Sequence, residues 1–490
     1  MRRTGVHLGL VVLAALGIRS YMVAYHAHEG GFSRASYLAP CYLLAAGYGY
    51  QRAAGGAWQG DVEFVDRLEA YSLELAKKGA QIDAQHRPPI DPERLRPLHF
   101  RAPGYIGFLY VVYRVLGEPL ATWIVVLQAI VSSLYPVVVY LIVMRLFAQP
   151  GVALASAWLT ALHPPLAVLA AGRLPDCLAL GLLLLAILCW VHAAKAPSYR
   201  WMFVAGLLLT ANAYFRSNAL YLWVFMGLAL FVVQRGWVRP ALSTAILAGV
   251  LYAGLFPWAL WNYRVSGRWI WGSTAVGRSL AYFVGMHPNT LGLRDDDGFI
   301  MEYAQDHGFE SDSTPEADAW FRHLIKRYYV ENPGRFVKAT LRNLPWAVAP
   351  PFQTGLVSLA TDRVAHTFTY YKNEEGLTPF QVLIRHPSHV LANYGERMLV
   401  MMVSAAANVS MLWLLVRRRG GRGDVLLLMT LPWYYILVHS LGGFVHSMPR
   451  YLAPMIPFQM IALALTASEL RAWWRKEPPG TAVAPSKNVR

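Results

Sequence analysis

Cysteine is scarce in this chain. Only Cys41, Cys177 and Cys189 occur in 490 residues, with no CxxC pair and no Cys/His spacing of a metal-ligand set. That excludes a disulfide framework and a structural zinc site. Cys189 stands inside an apolar run and reads as packing. Charge is scarce as well. Charged residues make up 15% of the chain, where a soluble domain carries roughly a quarter. The acidic side is the poorer, with 28 Asp and Glu against 44 Lys and Arg. Internal repeats and low-complexity tracts are absent too, so nothing points to the half-to-half symmetry of many secondary transporters.

What fills the space is apolar and aromatic. Hydrophobic residues make up 56% of the sequence and the mean hydropathy is +0.34. The 17 Trp and 27 Tyr suit a chain that meets the headgroup level of a bilayer, where amphipathic rings are favoured. A net charge of +16 raises nucleic acid as a partner. The basic residues, however, sit in short clusters between apolar runs, the pattern of topology signals facing the cytoplasm. Nucleic acid is therefore not expected as a partner.

Apolar runs fall near 5–25, 104–117, 119–145, 151–170, 177–194, 200–215, 218–234, 240–261, 395–416, 424–443 and 450–468. The first contains Arg19, lacks a clean A-x-A cleavage site and is followed by many more runs, so it reads as an uncleaved anchor. The 104–117 run is short and contains Arg114, so it is expected to lie against the outer leaflet. A crossing helix needs about 20 residues, which leaves about ten spans. With ten, Arg2/Arg3, Arg145, Lys195/Arg200, Arg235/Arg239, Arg417–Arg419 with Arg422, and Arg471/Arg475/Lys476 all fall on one side, the cytoplasm. The expected fold class is thus an all-α polytopic protein of the inner (plasma) membrane with cytoplasmic termini. Residues 1–261 would form an N-terminal transmembrane bundle with an external loop at 27–101. Residues 262–393 would form an external loop region, 394–468 the C-terminal transmembrane helices, and 469–490 a cytoplasmic tail whose last part, 478–490, reads as disordered. Phe64, Leu68, Tyr71 and Leu75 recur at helical spacing among charged residues, which predicts an amphipathic helix on the membrane surface.

Several candidates for chemistry stand out. Arg19 and Arg216 interrupt apolar stretches, where a charge is costly and functional by default; a snorkelling or structural pair is the plain alternative. Asp176 opens a Leu-rich helix beside Arg173, a position the helix dipole favours even without a function. Arg264 follows Asn262-Tyr263 at a span end, where anchoring is the plain role. His163, His287, His439 and His446 lie near expected external ends, without ligand spacing. Asp295–Asp297 with Gly298 lack the ligand series of a calcium loop and read as a solvated turn.

Six segments, in order, resemble one superfamily. They are Arg101-Ala-Pro-Gly-Tyr105 before an aromatic-aliphatic helix; Ala161-Leu-His-Pro164 and Arg173-Leu-Pro-Asp176; Tyr214-Phe-Arg-Ser217; PWALWNYRVSG at 257–267 with Gly272-Ser-Thr274 and GMHPNTLG at 285–292; Asn332-Pro-Gly-Arg-Phe336; and Arg450-Tyr451 with Pro454 and Pro457. The series resembles the protein O-mannosyltransferase and aminoarabinose-transferase superfamily, like glycosyltransferase family 39. The resemblance implies a C-type glycosyltransferase fold with juxtamembrane helices in the first external loop. It implies transfer of a sugar from a polyprenyl-phosphate carrier to a lipid, glycan or protein acceptor on the outer face. It implies a first-loop carboxylate as base, and substrate-binding roles for Arg101, Tyr105, Asn262, His287 and Arg450, with Arg19, Arg216 and Arg264 as further phosphate-clamp candidates. The family's aspartate element lines up with Ser33, so the base stays open among Glu29, Asp61 or Asp66 and Asp176, or the chain is an inactive branch. No cofactor is expected, and no metal ligand set is assigned, although the sequence leaves a divalent metal open. Membrane lipid is an expected partner. The alternatives are a lipid-linked glycan transporter or flippase and a non-catalytic homologue.

Overall fold

The structure is a computed structural model. It describes residues 2–26, 34–53, 58–196, 198–352, 376, 378–390, 394–418, 421–442 and 449–475. Glu29, Ser33, His446 and the tail 478–490 lie outside the described residues.

Helices carry almost everything described. In chain order they are α1 (Arg2–His26), α2 (Ala39–Ala45), α3 (Trp58–Lys77), α4 (Pro103–Leu116), α5 (Leu120–Ser133), α6 (Tyr135–Phe147), α7 (Pro150–Leu162), α8 (Pro164–Ala171), α9 (Asp176–Lys195) and α10 (Tyr199–Phe215). Then follow α11 (Leu222–Val233), α12 (Val238–Ser266), α13 (Val276–Gly285), α14 (Asp297–Asp306), α15 (Pro315–Glu331), α16 (Pro333–Val348), α17 (Pro379–Arg385), α18 (Glu396–Arg417), α19 (Arg422–Gly442) and α20 (Ile456–Trp474). Proline opens many of them, at the first turn where its missing N–H costs nothing.

Among the described residues, seven helices are long and apolar enough to cross a membrane: Thr4–Ala24, Leu120–Phe147, Asp176–Lys195, Val238–Ser266, Glu396–Arg417, Arg422–Gly442 and Arg450–Trp474. Helices α7 and α8 meet at a 50° bend and count as an eighth span if taken together. The sequence reading expects ten. The other two apolar segments are the 17-residue α10 and the stretch Ser217–Val233. The chain breaks between them at Arg216, a charge that ends both short of the ~20 residues a crossing takes. The 14-residue α4 is no candidate span.

The main core joins α1 and α5–α12 to α18–α20 through buried Leu, Val, Ala and aromatic residues. Helices α9, α10 and α12 pack closely because small residues admit it. A Cβ on Gly206 would stand 2.8 Å from Val250, so only glycine lets these backbones approach. Asn212 of α10 donates to the Ala179 carbonyl of α9 across 2.7 Å. Gly104 does the same service for α4: its Cβ would meet the Tyr214 backbone at 2.7 Å.

A second core gathers α2, α3 and α4. Val65 and Leu68 of α3 are buried there, with Phe64, Tyr71 and Leu75 packed against them, and Ser72 hydrogen-bonds the Tyr113 hydroxyl at 2.8 Å. The expectation of a helix resting on the membrane by this face is thus corrected: protein, not lipid, covers it. Two short strands, β1 (Gln51–Ala53) and β2 (Leu95–Pro97), pair antiparallel with Arg52 opposite Arg96. Like charges across a ladder repel; Glu310 lies 3.9 Å from Arg52 and 3.6 Å from Arg96 and offsets them. That contact ties the 50–100 region to a third core built from α13–α15.

Candidate functional site

The chain's helix ends converge on Tyr451. This residue lies in the 3₁₀ stretch Pro449–Met455 that leads into α20. The Arg216 guanidinium sits over its ring, 4.4 Å from the centroid, and Arg450 lies 5.6 Å from it. Arg216, Arg450 and Arg101 all act electrostatically on the Tyr451 phenol. Arg101 lies on Tyr37 at 5.0 Å and on Phe100 at 4.2 Å. Three guanidiniums from three separate parts of the sequence therefore share one neighbourhood.

Local structure explains each placement. Arg216 caps the C-terminus of α10 in an extended conformation, where the helix end favours a cation. Arg101 lies two residues before Pro103, which starts α4, and its carbonyl accepts from the Tyr50 hydroxyl at 2.9 Å. Burial pushes the Arg101 pKa down; Tyr37 and Tyr451 oppose this, while Arg216 and Arg278 add to it. A guanidinium stays charged regardless. Asp176 is the first residue of α9, and its Oδ1 lies 2.8 Å from Arg216 with both side chains largely buried. Asp176 Oδ2 is buried and makes no hydrogen bond among the described residues, and neither does the Tyr105 hydroxyl. A narrow cleft runs along Asp176, Asn212, Arg216, Tyr435, Arg450 and Tyr451.

Of the residues singled out in the sequence, the structure brings together Asp176, Arg216, Arg450, Arg101 and Tyr105. The others sit elsewhere or are otherwise engaged. Arg19 is fully buried and holds Ser132 Oγ at 2.9 Å and the carbonyls of Ala15 and Ala161. That is a helix-joining role between α1, α5 and α7, away from the cleft lining. Asn262 is fully buried; its amide donates to the Trp258 and Ile270 carbonyls and its Oδ1 meets His99 Nδ1 at 2.7 Å. Both its amide hydrogens, and its Oδ1 toward His99, are engaged inside the fold. Arg264 is exposed. His287 is half-buried against Phe283, and burial, with Arg342, pushes its pKa below the ordinary value. Asp66 is exposed on α3 and does not line the cleft. Among the described residues no group of three or more His, Cys, Asp or Glu is arranged to hold a metal.

Sequence reasoning passed over Tyr37, Tyr435 and Arg278. Arg278 lies 3.1 Å from Asp312 and 5.7 Å from the Phe100 ring, so α13 reaches the same arginine group. No spacing in the sequence signals that, because the contact joins two loop regions nearly two hundred residues apart.

No protein-family model matches this chain, and no curated protein is significantly similar to it. Among solved structures it is similar to the oligosaccharyltransferase of Archaeoglobus fulgidus in the apo form, at 14% identity and a TM-score of 0.46, over 99% of this chain and 53% of that one. It is similar also to that enzyme tethered through a disulfide to an acceptor peptide containing the NVT sequon, at 12% identity and a TM-score of 0.41, over 99% and 52%. The chain spans about half the length of the structures it matches. Likeness at this level carries no argument about activity.

Proposed function

We propose that this chain is a membrane glycosyltransferase that moves one sugar from a polyprenyl-phosphate carrier to an acceptor hydroxyl at the outer face of the membrane. The observation that supports it is the gathering of Arg101, Arg216 and Arg450 around Tyr451, beside a carboxylate with one oxygen not hydrogen-bonded. Guanidinium groups bind phosphate oxygens through paired, charge-assisted hydrogen bonds. Apolar helices flank the cleft, as an isoprenoid tail requires.

The chemistry follows from these groups. The acceptor oxygen attacks C1 of the sugar on the face opposite the phosphate, and the C1–O bond to phosphate breaks. The electron pair leaves with the polyprenyl phosphate, whose growing charge Arg216 and Arg450 stabilise. The hydroxyl proton passes to Asp176 Oδ2. Arg216 holds the other carboxylate oxygen and so aims this one. The acceptor is a lipid, a glycan or a protein.

The test uses the purified chain in proteoliposomes, radiolabelled polyprenyl-phosphate sugars, and envelope lipid, glycan and peptide acceptors. Transfer that needs Asp176 and Arg450 supports the proposal. Scrambling of the lipid-linked sugar without any transfer would instead support a transporter.

A further inference from the structure

His439 is a buried titratable group beside this site that the chemistry above leaves unused. It sits in the last turn of α19 and is only 6% exposed. Its imidazole stacks near-parallel to Tyr435, at 5.9 Å and 17°, and to Tyr451, at 6.1 Å and 25°. Tyr451 is the ring that carries Arg216 and Arg450, and Arg216 acts electrostatically on His439 itself. Stacking engages ring faces only. A neutral imidazole also has one N–H donor and one in-plane lone pair, and among the described residues neither ring nitrogen makes a hydrogen bond. Buried side-chain nitrogens in native proteins are rarely left so. The neighbouring Tyr435 ring would be matched as well by a phenylalanine at 439, so packing alone does not call for histidine.

We propose that His439 is a substrate-binding residue: its imidazole N–H donates a hydrogen bond to a phosphate oxygen of the polyprenyl-phosphate donor, beside Arg216 and Arg450. This rests on the functional reading above. A neutral donor suits the place. Arg216 and Arg278 already act against the charge on Arg101, and another cation would add to that repulsion. An N–H supplies one more contact to the anion without it.

The experiment measures binding of undecaprenyl phosphate, carrying no sugar, to the full chain in nanodiscs by native mass spectrometry. His439→Phe keeps the stack and removes both nitrogens; His439→Asn and His439→Gln each restore one polar position. The expected result is binding weakened at least about tenfold in His439→Phe, as for the loss of a hydrogen bond to a charged group, with partial recovery in one amide variant. Parent-like binding by His439→Phe, alongside weakened binding by Arg450→Ala, overturns the assignment and leaves the site reading intact. Parent-like binding by both Arg450→Ala and Arg216→Ala removes the site reading and this inference together. Should His439→Phe not fold, ¹⁵N-histidine spectra of the parent serve instead: His439 ring signals that do not move on adding undecaprenyl phosphate overturn it.

Discussion

Arg216 and Asp176 are held 2.8 Å apart by two helix ends, the C-terminus of α10 and the N-terminus of α9. Each group suits the dipole of its own helix end, and the packing of α9 on α10 brings them together. The same carboxylate keeps its second oxygen buried and, among the described residues, not hydrogen-bonded. One residue thus neutralises a buried cation and presents an acceptor for a proton.

Those two roles have separate readouts. Asp176→Asn keeps shape but cannot take a proton, so transfer is expected to fall by about two decades or more, the usual share of a general base. Asp176→Asn and Asp176→Ala both leave Arg216 buried without its counter-charge. Breaking a buried pair in this way costs about 3–5 kcal/mol, so the thermal midpoint should drop. Asp176→Leu with Arg216→Leu should recover the midpoint while remaining inactive. Unfolding curves and transfer rates on the three purified variants check this; an active Asp176→Asn protein removes Asp176 as base.

Arg450 tests the phosphate contact. Losing one charge-assisted hydrogen bond is worth roughly 1.5–3 kcal/mol, so Arg450→Ala should reduce turnover by about one to two decades with folding retained. Lysine is a poor replacement for a bidentate guanidinium. Near-normal turnover in both Arg450→Ala and Arg450→Lys would mean that the residue merely anchors the start of α20 at the interface.

The apolar runs were plain in the sequence because period and length are local properties, and the same is true of Arg216 as an interruption and Asp176 as a helix opener. Their partnership was not plain. Forty residues separate them, and the contact depends on how α9 and α10 pack, where Asn212 reaches the Ala179 carbonyl. Asn262 shows the converse. The resemblance of the 257–267 segment implied a substrate role for it, yet a fully buried amide must be satisfied, and the fold satisfies it with His99 and two carbonyls. The α3 stripe was read correctly as apolar, but a stripe does not say whether lipid or protein will cover it.

The one-sided distribution of Lys and Arg predicts that residues 27–101 and 262–393 are external and that both termini are cytoplasmic. Glu310 is exposed, and the three native cysteines are buried, so Glu310→Cys offers a clean labelling site. An impermeant maleimide should modify it in intact spheroplasts, as it should not modify a cysteine placed at Arg2. Protection of position 310 would reverse the orientation.

His99 supplies a pH signature that depends on the fold rather than on the substrate. Its ring is buried and packs beside Trp261. Asn262 spends its amide hydrogens on two carbonyls, so its Oδ1 must accept, and His99 Nδ1 must carry the proton. Burial pushes the His99 pKa below its ordinary 6.5; the Asn262 hydrogen bond and Glu316 oppose the shift and Arg52 adds to it. The sign follows from linkage. Between the lowered folded value and 6.5 the unfolded chain binds the proton and the folded chain does not, so stability rises with pH across that window. Cooling of the thermal midpoint is therefore expected as pH falls below 6.5, levelling off once the folded imidazole is protonated too. His99→Gln retains a polar side chain but does not titrate, and it should flatten this part of the profile. Unfolding curves in detergent from pH 7.5 to 5 compare the two proteins. A His99→Gln profile as steep as the parent's would place the proton uptake on another group.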